Sequence, residues 1–189
     1  MVSLLMSRSL SKIVALILSK WIILTLIATG IVVLDQVSKI YIDRAFALHE
    51  SLPVIPDLFS LTYIRNPGAA FGLFADQSRF FRALFFSVVS LCALSFLLVM
   101  VYQTPSDDYW QMIALSLLLG GAIGNLIDRV RLGEVIDFLD FYIGEHHWPA
   151  FNVADSAITM GVTMLLLAMM RDMRGQKADA TDDLKNLPS

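Results

Sequence analysis

Two long uncharged segments constrain this chain more than any other feature. Ala83–Gln103 contains 21 residues without a charge, and Tyr109–Ile127 contains 19. An α-helix rises 1.5 Å per residue and the hydrocarbon of a bilayer is about 30 Å thick, so about 20 apolar residues cross it. Hydrophobic residues make up 57% of the chain and charged residues only 16%, which excludes an ordinary water-soluble domain. The two segments therefore predict membrane-spanning helices.

A third apolar segment, near the N-terminus, is shorter. Trp21–Leu34 has 14 residues between Lys20 and Asp35, which reach only about 21 Å as a helix. Lys20 has a long aliphatic stem that can extend toward water, so the helix can begin near Ile13. Asp35 is too short for this, and we expect its carboxyl group near or inside the bilayer. A signal peptide would also start basic and apolar, but no small-x-small cleavage site precedes a soluble domain, so we expect a retained span.

The fourth apolar segment has the same difficulty. Ser156–Met170 contains 15 residues between Asp155 and Arg171, or about 22 Å of helix. Asp155 is therefore expected within the thickness of the membrane. The sequence predicts one membrane domain over residues 1–175, with spans at about 13–35, 83–103, 109–127 and 152–170, and a disordered cytoplasmic tail over 176–189.

The distribution of basic residues bears on the orientation of these spans. Seven Lys and Arg residues lie on the side of the two termini, and seven lie in the first and third loops. Several of the loop residues are candidate site residues or lie on an interfacial segment, and we discount them. We therefore expect both termini in the cytoplasm.

The loops differ in length, which predicts a site on one side of the membrane. Thr104–Asp108 is a tight polar turn with Pro105, so the second and third helices should be antiparallel neighbours. The first and third loops, on the opposite side, are much longer. In the first loop, Leu58–Ile64 alternates and is rich in aromatic and β-branched residues, which predicts a small sheet on the membrane surface. Asn66–Gly72 follows with turn chemistry and small residues that permit close backbone approach.

A few residues have simple structural interpretations. Cys92, the single cysteine, lies in the middle of a predicted helix and is expected to pack in the core. His146, His147 and Trp148 in the third loop are predicted to form an interfacial belt. Two histidines can suggest a metal, but no third ligand has a supporting spacing, so no metal site is predicted.

Polar and charged residues collect near one predicted membrane face. They are Asp35, Lys39, Asn66, Asn125, Asp128, Arg129, Asp137, Asn152 and Asp155. Charged groups near hydrocarbon normally pair, face the bundle interior or carry function. Structural explanations also exist: Asp35 and Lys39 can form a salt bridge at a helix end. Asp128 and Arg129 can be a helix-end charge pair, and the three asparagines can hydrogen-bond across helices.

Asp137 and Asp155 are harder to explain by structure alone. Asp137 lies among the apolar residues of Val135–Phe138, and Asp155 begins a span that is too short without it. Two carboxylates brought together in a poorly hydrated place cannot both ionise, so they would share a proton. The ionised member can activate a water molecule while the neutral member protonates a leaving amine. This pair predicts peptide hydrolysis.

Two other functions fit parts of the pattern. Intramembrane carboxylates also mark proton relays, so a proton- or ion-coupled transporter is the main alternative. A transporter predicts acids spread through the bilayer, whereas the acids here cluster at one face. A structural or assembly partner is the third possibility, and it predicts that both aspartates tolerate replacement.

Five successive segments resemble the blocks of bacterial lipoprotein signal peptidase, also called signal peptidase II. They are Asp35–Lys39, Asn66–Phe71, Gly120–Arg129, Val135–Phe138 and Phe151–Ser156. The resemblance extends over about Trp21 to Arg171 and implies an aspartic endopeptidase of the bacterial inner membrane. Such an enzyme removes the signal peptide from prolipoproteins, on the N-terminal side of a diacylglyceryl-modified cysteine. The implied fold is an all-α membrane protein, a four-transmembrane-helix bundle with a small extracytoplasmic β-sheet and a short surface helix.

The resemblance also implies roles for individual residues. Asp137 and Asp155 match the catalytic pair. The residues that match the substrate-binding set are Asn66, Gly68, Asn125, Arg129 and Asn152, with Asp35 and Lys39 placed beside the site. No cofactor is implied, the partners are prolipoproteins and membrane lipid rather than nucleic acid, and the oligomeric state stays open. The active site is expected near the outer, periplasmic face.

The position of the predicted sheet suggests a use for it. A substrate anchored in the membrane must be cut at the bilayer surface, and the strand-like segment Leu58–Ile64 directly precedes the Asn66 block. We therefore expect the sheet to hold the extended peptide, with Leu61 and Tyr63 as residues that test this role.

Overall fold

The computed structural model describes residues 2–68, 74 and 76–185, with side chains for 18–68, 74, 76–171 and 173. Its elements, in chain order, are α1 (Val2–Ala45), β1 (Ser51–Ile55), β2 (Phe59–Asn66), α2 (Arg79–Gln103), α3 (Tyr109–Leu132), β3 (Val135–Ile143), β4 (His146–His147) and α4 (Val153–Lys185). Four helical stretches are long and apolar enough to cross a membrane: Leu18–Ala45, Arg79–Gln103, Tyr109–Leu132 and Val153–Arg171. Four apolar helices and a small antiparallel sheet were expected, and both are found.

Lys20 lies inside the bundle, where it joins α1 to the turn between α2 and α3. It is 5% exposed and donates to the Thr104 carbonyl at 2.6 Å and to the Tyr102 carbonyl at 3.3 Å. The carbonyl groups at a helix C-terminus lack intrahelical partners and carry partial negative charge, so a cation stabilises them. The expectation that Lys20 extends toward water is therefore wrong.

α1 does not end near Asp35, because it continues as a helix to Ala45. Asp35 and Lys39 are both buried within this longer helix. Their charges are balanced by partners on α3 and α4 rather than by water, so no helix end is needed at this point. The sequence underestimates this helix because the partners that make its charges tolerable are distant in the chain.

α3 is the central helix, and its glycines let the other helices approach closely. A Cβ atom added to Gly120 would lie 2.9 Å from the Ala28 carbonyl oxygen of α1. One added to Gly121 would lie 2.4 Å from the Ala154 carbonyl oxygen of α4. Any side chain at Gly121 would collide with backbone. The small residues therefore set the distance between α3 and the start of α4.

The sheet has the order β1-β2-β3-β4, and all its neighbouring strands are antiparallel. The strand predicted over Leu58–Ile64 is confirmed as β2, whereas β3 was not predicted. A buried cluster of Ile42, Tyr63, Ile136 and Phe138 joins the sheet to the end of α1. Tyr63 also donates to Asp43 of α1 through a short hydrogen bond, so it belongs to the framework rather than to a free peptide-binding face.

Other expectations have mixed outcomes. Cys92 is exposed on the bundle surface, because that part of α2 faces outward. Its predicted place in the core is therefore wrong.

α4 continues as a helix to Lys185, into the segment 176–189 for which we expected disorder. Ala, Lys and Gln in that segment favour helix. Residues 69–72 of the predicted small-residue turn lie outside the described residues, and no separate short surface helix occurs within the described ones.

Candidate active site

Asp137 lies on β3 and accepts two hydrogen bonds from asparagine side chains. Asn66 Nδ2 donates to its Oδ2 at 2.8 Å, and Asn152 Nδ2 donates to its Oδ1 at 2.7 Å. The side chain is almost fully buried, at 1% exposure. Ile64 is its cross-strand partner on β2, so the two side chains lie on the same face of the sheet.

Asp155 lies in the first turn of α4, where it forms a capping box with Asn152. The Asp155 backbone N–H donates to Asn152 Oδ1 at 2.9 Å, and the Asn152 backbone N–H donates to Asp155 Oδ2 at 3.3 Å. These reciprocal bonds give acceptors to two backbone N–H groups that have no partner within the first turn of the helix. The second Asp155 oxygen, Oδ1, accepts from Asn125 Nδ2 at 2.7 Å. The same bonds that begin α4 therefore fix the carboxylate.

Asn152 joins the two aspartates into one hydrogen-bonded network. Its side chain is fully buried, and its Nδ2 contacts Asp137 while its Oδ1 and backbone N–H contact Asp155. The same Nδ2 approaches Asn125 Oδ1 at 3.2 Å. The structure thus brings both predicted catalytic residues together with all three predicted asparagines.

A buried charge cluster lies behind this network. Lys39 Nζ contacts Asp35 Oδ2 at 2.8 Å and Asp128 Oδ2 at 3.0 Å, and it donates to Asn125 Oδ1 at 2.9 Å. Asp35 Oδ1 accepts from the Ala154 backbone N–H at 2.9 Å, in the first turn of α4. A carboxylate at this position satisfies a free donor and complements the helix dipole.

The simple interpretations of these charges are only partly correct. Asp35 and Lys39 do form the predicted four-residue-spaced ion pair, but it is buried inside the bundle rather than at a helix end. Asp128 does not form the predicted helix-end charge pair with Arg129. It binds Lys39, accepts from the Ile136 backbone N–H at 3.2 Å and so joins α3 to β3. The charged groups of Asp35 and Lys39 are occupied by contacts within the protein, so we do not assign them a direct contact with a substrate.

Gln36 is a network residue that the sequence analysis missed. Its Nε2 donates to Asp128 Oδ1 at 3.1 Å and to the Gly124 carbonyl at 3.1 Å. The sequence offers one signal for this role: Gln36 directly follows Asp35 and lies in the same helical turn as two residues whose charges are buried. Its role is to satisfy acceptors that burial removes from water.

Arg129 and Gly68 border the network from two sides. Arg129 Nη1 donates to Ser90 Oγ at 3.3 Å, and its positive charge acts on both Asp137 and Asp155. Gly68 has φ of +87°, and its backbone N–H donates to Asn66 Oδ1 at 2.9 Å. That bond turns the Asn66 amide so that its Nδ2 faces Asp137.

The environment of Asp137 favours its neutral form. Burial first, and then the neighbouring charge of Asp155, raise the pKa of Asp137 to about 7. Hydrogen bonds from Asn66 and Asn152 and the charge of Lys39 act in the opposite direction. Asp137 can therefore hold or release a proton near neutral pH, which is what a general acid or base requires. Within the part of the chain that the structure describes, no three His, Cys, Asp or Glu residues form a group that could hold a metal.

Comparison with known proteins identifies the family of this chain. The family model described as signal peptidase (SPase) II matches residues 27–171, most of the chain and every residue of the network. The chain belongs to the signal peptidase II family. This family consists of membrane aspartic peptidases, so the predicted enzyme class is confirmed and a transporter is not favoured.

Individual relatives and solved structures agree with this family. The chain is 51% identical over 158 residues to the lipoprotein signal peptidase of Syntrophus aciditrophicus, covering 83% of this chain and 98% of the relative. It is 54% identical over 155 residues to that of Syntrophotalea carbinolica, covering 82% and 95%. A bacterial membrane enzyme solved by the in meso method at 2.3 Å resolution matches with a TM-score of 0.70 and 36% identity, covering 79% of this chain and 88% of the other.

Proposed function

We propose that Asp137 and Asp155 are the catalytic pair of this peptidase and that they hydrolyse the peptide bond directly with water. The observation that carries this proposal is the pair of Asn152 contacts, which joins both carboxylates in one hydrogen-bonded network. Each aspartate oxygen accepts from an N–H group, and the burial of Asp137 favours one proton on the pair.

The reaction divides into two proton transfers. The ionised carboxylate, Asp155, takes a proton from a water molecule as its oxygen attacks the scissile carbonyl carbon. The neutral carboxyl group, Asp137, supplies the proton that the departing amine needs when the C–N bond breaks. Arg129 lies near enough for its charge to act on both carboxylates, so it can stabilise the negative charge that develops on the carbonyl oxygen.

The substrates are lipoprotein precursors, since the relatives are named lipoprotein signal peptidases. The cut lies on the N-terminal side of a cysteine that carries diacylglycerol. Asn66, Gly68 and Arg129 border the site and contact the substrate, whereas the buried Asn125 and Asn152 hold the aspartates. Membrane lipid surrounds the site.

The sheet holds the peptide next to the aspartates. Ile64 lies opposite Asp137 in the register of β2 and β3 and is only partly buried, so its side chain is available beside the reacting carboxyl group. Ile64→Ala should therefore raise KM more than it lowers kcat. Val54→Ala, on the exposed strand β1, is the matched control and should leave both constants unchanged.

The proposed placement in the cell starts from the four spans. Four crossings put both termini on one side, the side of Lys20 and Thr104. We place that side in the cytoplasm, the membrane as the bacterial inner membrane and the site near the periplasmic face. Residues 1–175 form a single membrane domain, and residues 176–189 form a cytoplasmic tail.

A cleavage assay with the purified enzyme tests the proposed substrate. The probe is a prolipoprotein peptide with diacylglyceryl on its cysteine, and the control is the same peptide with an unmodified cysteine. We expect one cut, directly before the modified cysteine by mass spectrometry, and a much slower cut of the control. Equal rates on both peptides, or a cut elsewhere, would contradict the proposed substrate.

A further inference from the structure

Lys39 lies in a closed environment formed by polar residues of α1 and α3. Its side chain is 1% exposed, and its ammonium group contacts Asp35 Oδ2, Asp128 Oδ2 and Asn125 Oδ1 at 2.8, 3.0 and 2.9 Å. An ammonium group has three hydrogens to donate, so all of them have an acceptor here. Lys39 therefore acts on the reaction only through its neighbours.

Asn125 is the neighbour that leads to the catalytic pair. Its carboxamide oxygen faces Lys39, and its Nδ2 donates to Asp155 Oδ1 at 2.7 Å. The two ends of a carboxamide are nearly equal in shape but opposite in function, since one accepts and the other donates. An ammonium group can only donate. If the Asn125 carboxamide were turned by about 180°, its NH₂ group would face the Lys39 ammonium group, donor against donor. Its oxygen would then face the Asp155 carboxylate, acceptor against acceptor.

The other two asparagines of the network are oriented in the same way. Asn66 Oδ1 accepts from the Gly68 backbone N–H, and Asn152 Oδ1 accepts from the Asp155 backbone N–H. In each case a group that can only donate holds the amide oxygen, and the amide nitrogen faces Asp137. Backbone N–H groups hold two of the three amide oxygens. The third, Asn125 Oδ1, accepts from side chains: from Lys39 Nζ at 2.9 Å and, at the longer distance of 3.2 Å, from Asn152 Nδ2.

We propose that Lys39 is a positioning residue that fixes the orientation of the Asn125 carboxamide and so the hydrogen bond that Asp155 receives. This inference rests on the proposed function, in which Asp155 is a catalytic residue. It replaces the substrate-binding role expected for Lys39 with an indirect one.

The charge of Lys39 adds a second, measurable effect. The charged groups that act on Asp137 come from three helices: Lys39 of α1, Arg129 of α3 and Asp155 of α4. Lys39 works against the upward shift in the pKa of Asp137 that burial and Asp155 cause. Without this cation the ionised carboxylates are less stable, so the pH profile of kcat should move to higher pH.

Lys39→Met tests the proposal, and Lys20→Met is its matched control. Both lysines are buried in α1, but Lys20 binds the Thr104 carbonyl at the far end of the bundle. Both variants should lower thermal stability. Only Lys39→Met should lower kcat, by about tenfold or more as expected for the loss of a hydrogen bond to a charged group, with KM nearly unchanged and a profile at higher pH. Lys20→Met should keep the parent's kcat, KM and pH profile.

Three results would overturn the inference: a kcat for folded Lys39→Met within twofold of the parent, an equal kcat loss in both variants, or a change in KM alone.

If Lys39→Met does not fold, a triple variant with Asp35→Asn, Lys39→Met and Asp128→Asn takes its place. It removes the two carboxylate charges that the loss of Lys39 would leave unbalanced, while each Asn keeps an acceptor oxygen. The same criteria apply to it. Asp155→Asn is measured in parallel. Normal cleavage by that variant would refute the catalytic pair itself, whatever Lys39→Met shows.

Discussion

Asn152 and Asp155 cap each other at the start of α4, since each accepts a hydrogen bond from the other's backbone N–H. Asn152 also donates from its side chain to Asp137 at 2.7 Å. A structural motif that begins a helix therefore determines where one carboxylate lies and how it is joined to the second. The folding of α4 and the geometry of the site depend on the same residue.

Replacing Asn152 should separate these two roles. Ser is also a good N-cap and keeps an acceptor for the Asp155 N–H, but it cannot reach Asp137. We expect Asn152→Ser to unfold at a higher temperature than Asn152→Ala, while both variants lose about tenfold or more in kcat because the bond to Asp137 is gone. Thermal unfolding in detergent and cleavage kinetics measure the two effects. Thr163→Ala, about three turns further along the exposed side of α4, should change neither. Parent activity in Asn152→Ser would show that the bond to Asp137 is dispensable.

The glycines of α3 predict a strict size limit beside the site. Gly121→Ala would bring a Cβ atom within 2.4 Å of the Ala154 carbonyl oxygen, which moves the start of α4 and with it Asp155. We expect a loss of stability of about 1–3 kcal/mol, as for overpacked cores, together with reduced cleavage. Gly30→Ala is the control, because an added Cβ at Gly30 has nothing within 4 Å and alanine favours helix. Equal stability of the two variants would contradict close packing at Gly121.

The raised pKa of Asp137 predicts how stability depends on pH. A buried carboxyl group whose folded pKa is about 7, against an ordinary value of 3.8, destabilises the folded state wherever the unfolded chain is ionised. Asp137→Asn removes this effect, so the variant should be more stable than the parent by about 1–3 kcal/mol at pH 8. The difference should shrink as pH falls toward 4, where both states hold the proton. Unfolding temperatures measured from pH 4 to 8 test this, and a difference that stays constant with pH would contradict a raised pKa.

The sequence predicted those parts of the protein that depend on local pattern. The uncharged runs at Ala83–Gln103 and Tyr109–Ile127 correspond to α2 and α3, and the alternating run at Leu58–Ile64 corresponds to β2. The predicted polar residues also lie together, because charged side chains at membrane depth need partners and find them in the interior of the bundle.

The rest depended on contacts between distant segments. α1 passes Asp35 because Lys39 and the Ala154 backbone N–H satisfy that carboxylate. The Asp35–Lys39 pair is visible in the local spacing, but Ala154 lies in a distant part of the chain. Asp128 faces Lys39 rather than Arg129 for the same reason. β3 was missed because its apolar run, Val135–Ile143, contains two aspartates that interrupt the usual alternation of a strand.

The central claim is that Asp137 and Asp155 work as one unit, and the most direct test is the cleavage rate of Asp137→Asn, Asp155→Asn and the double variant. Purified, folded protein is assayed on the lipid-modified prolipoprotein peptide. The shared-proton account predicts that each single variant loses at least about a thousandfold in kcat and that the double variant loses little more, because residues that act together are not additive. A single variant that cleaves at a rate near the parent's, or losses that multiply in the double variant, would contradict it.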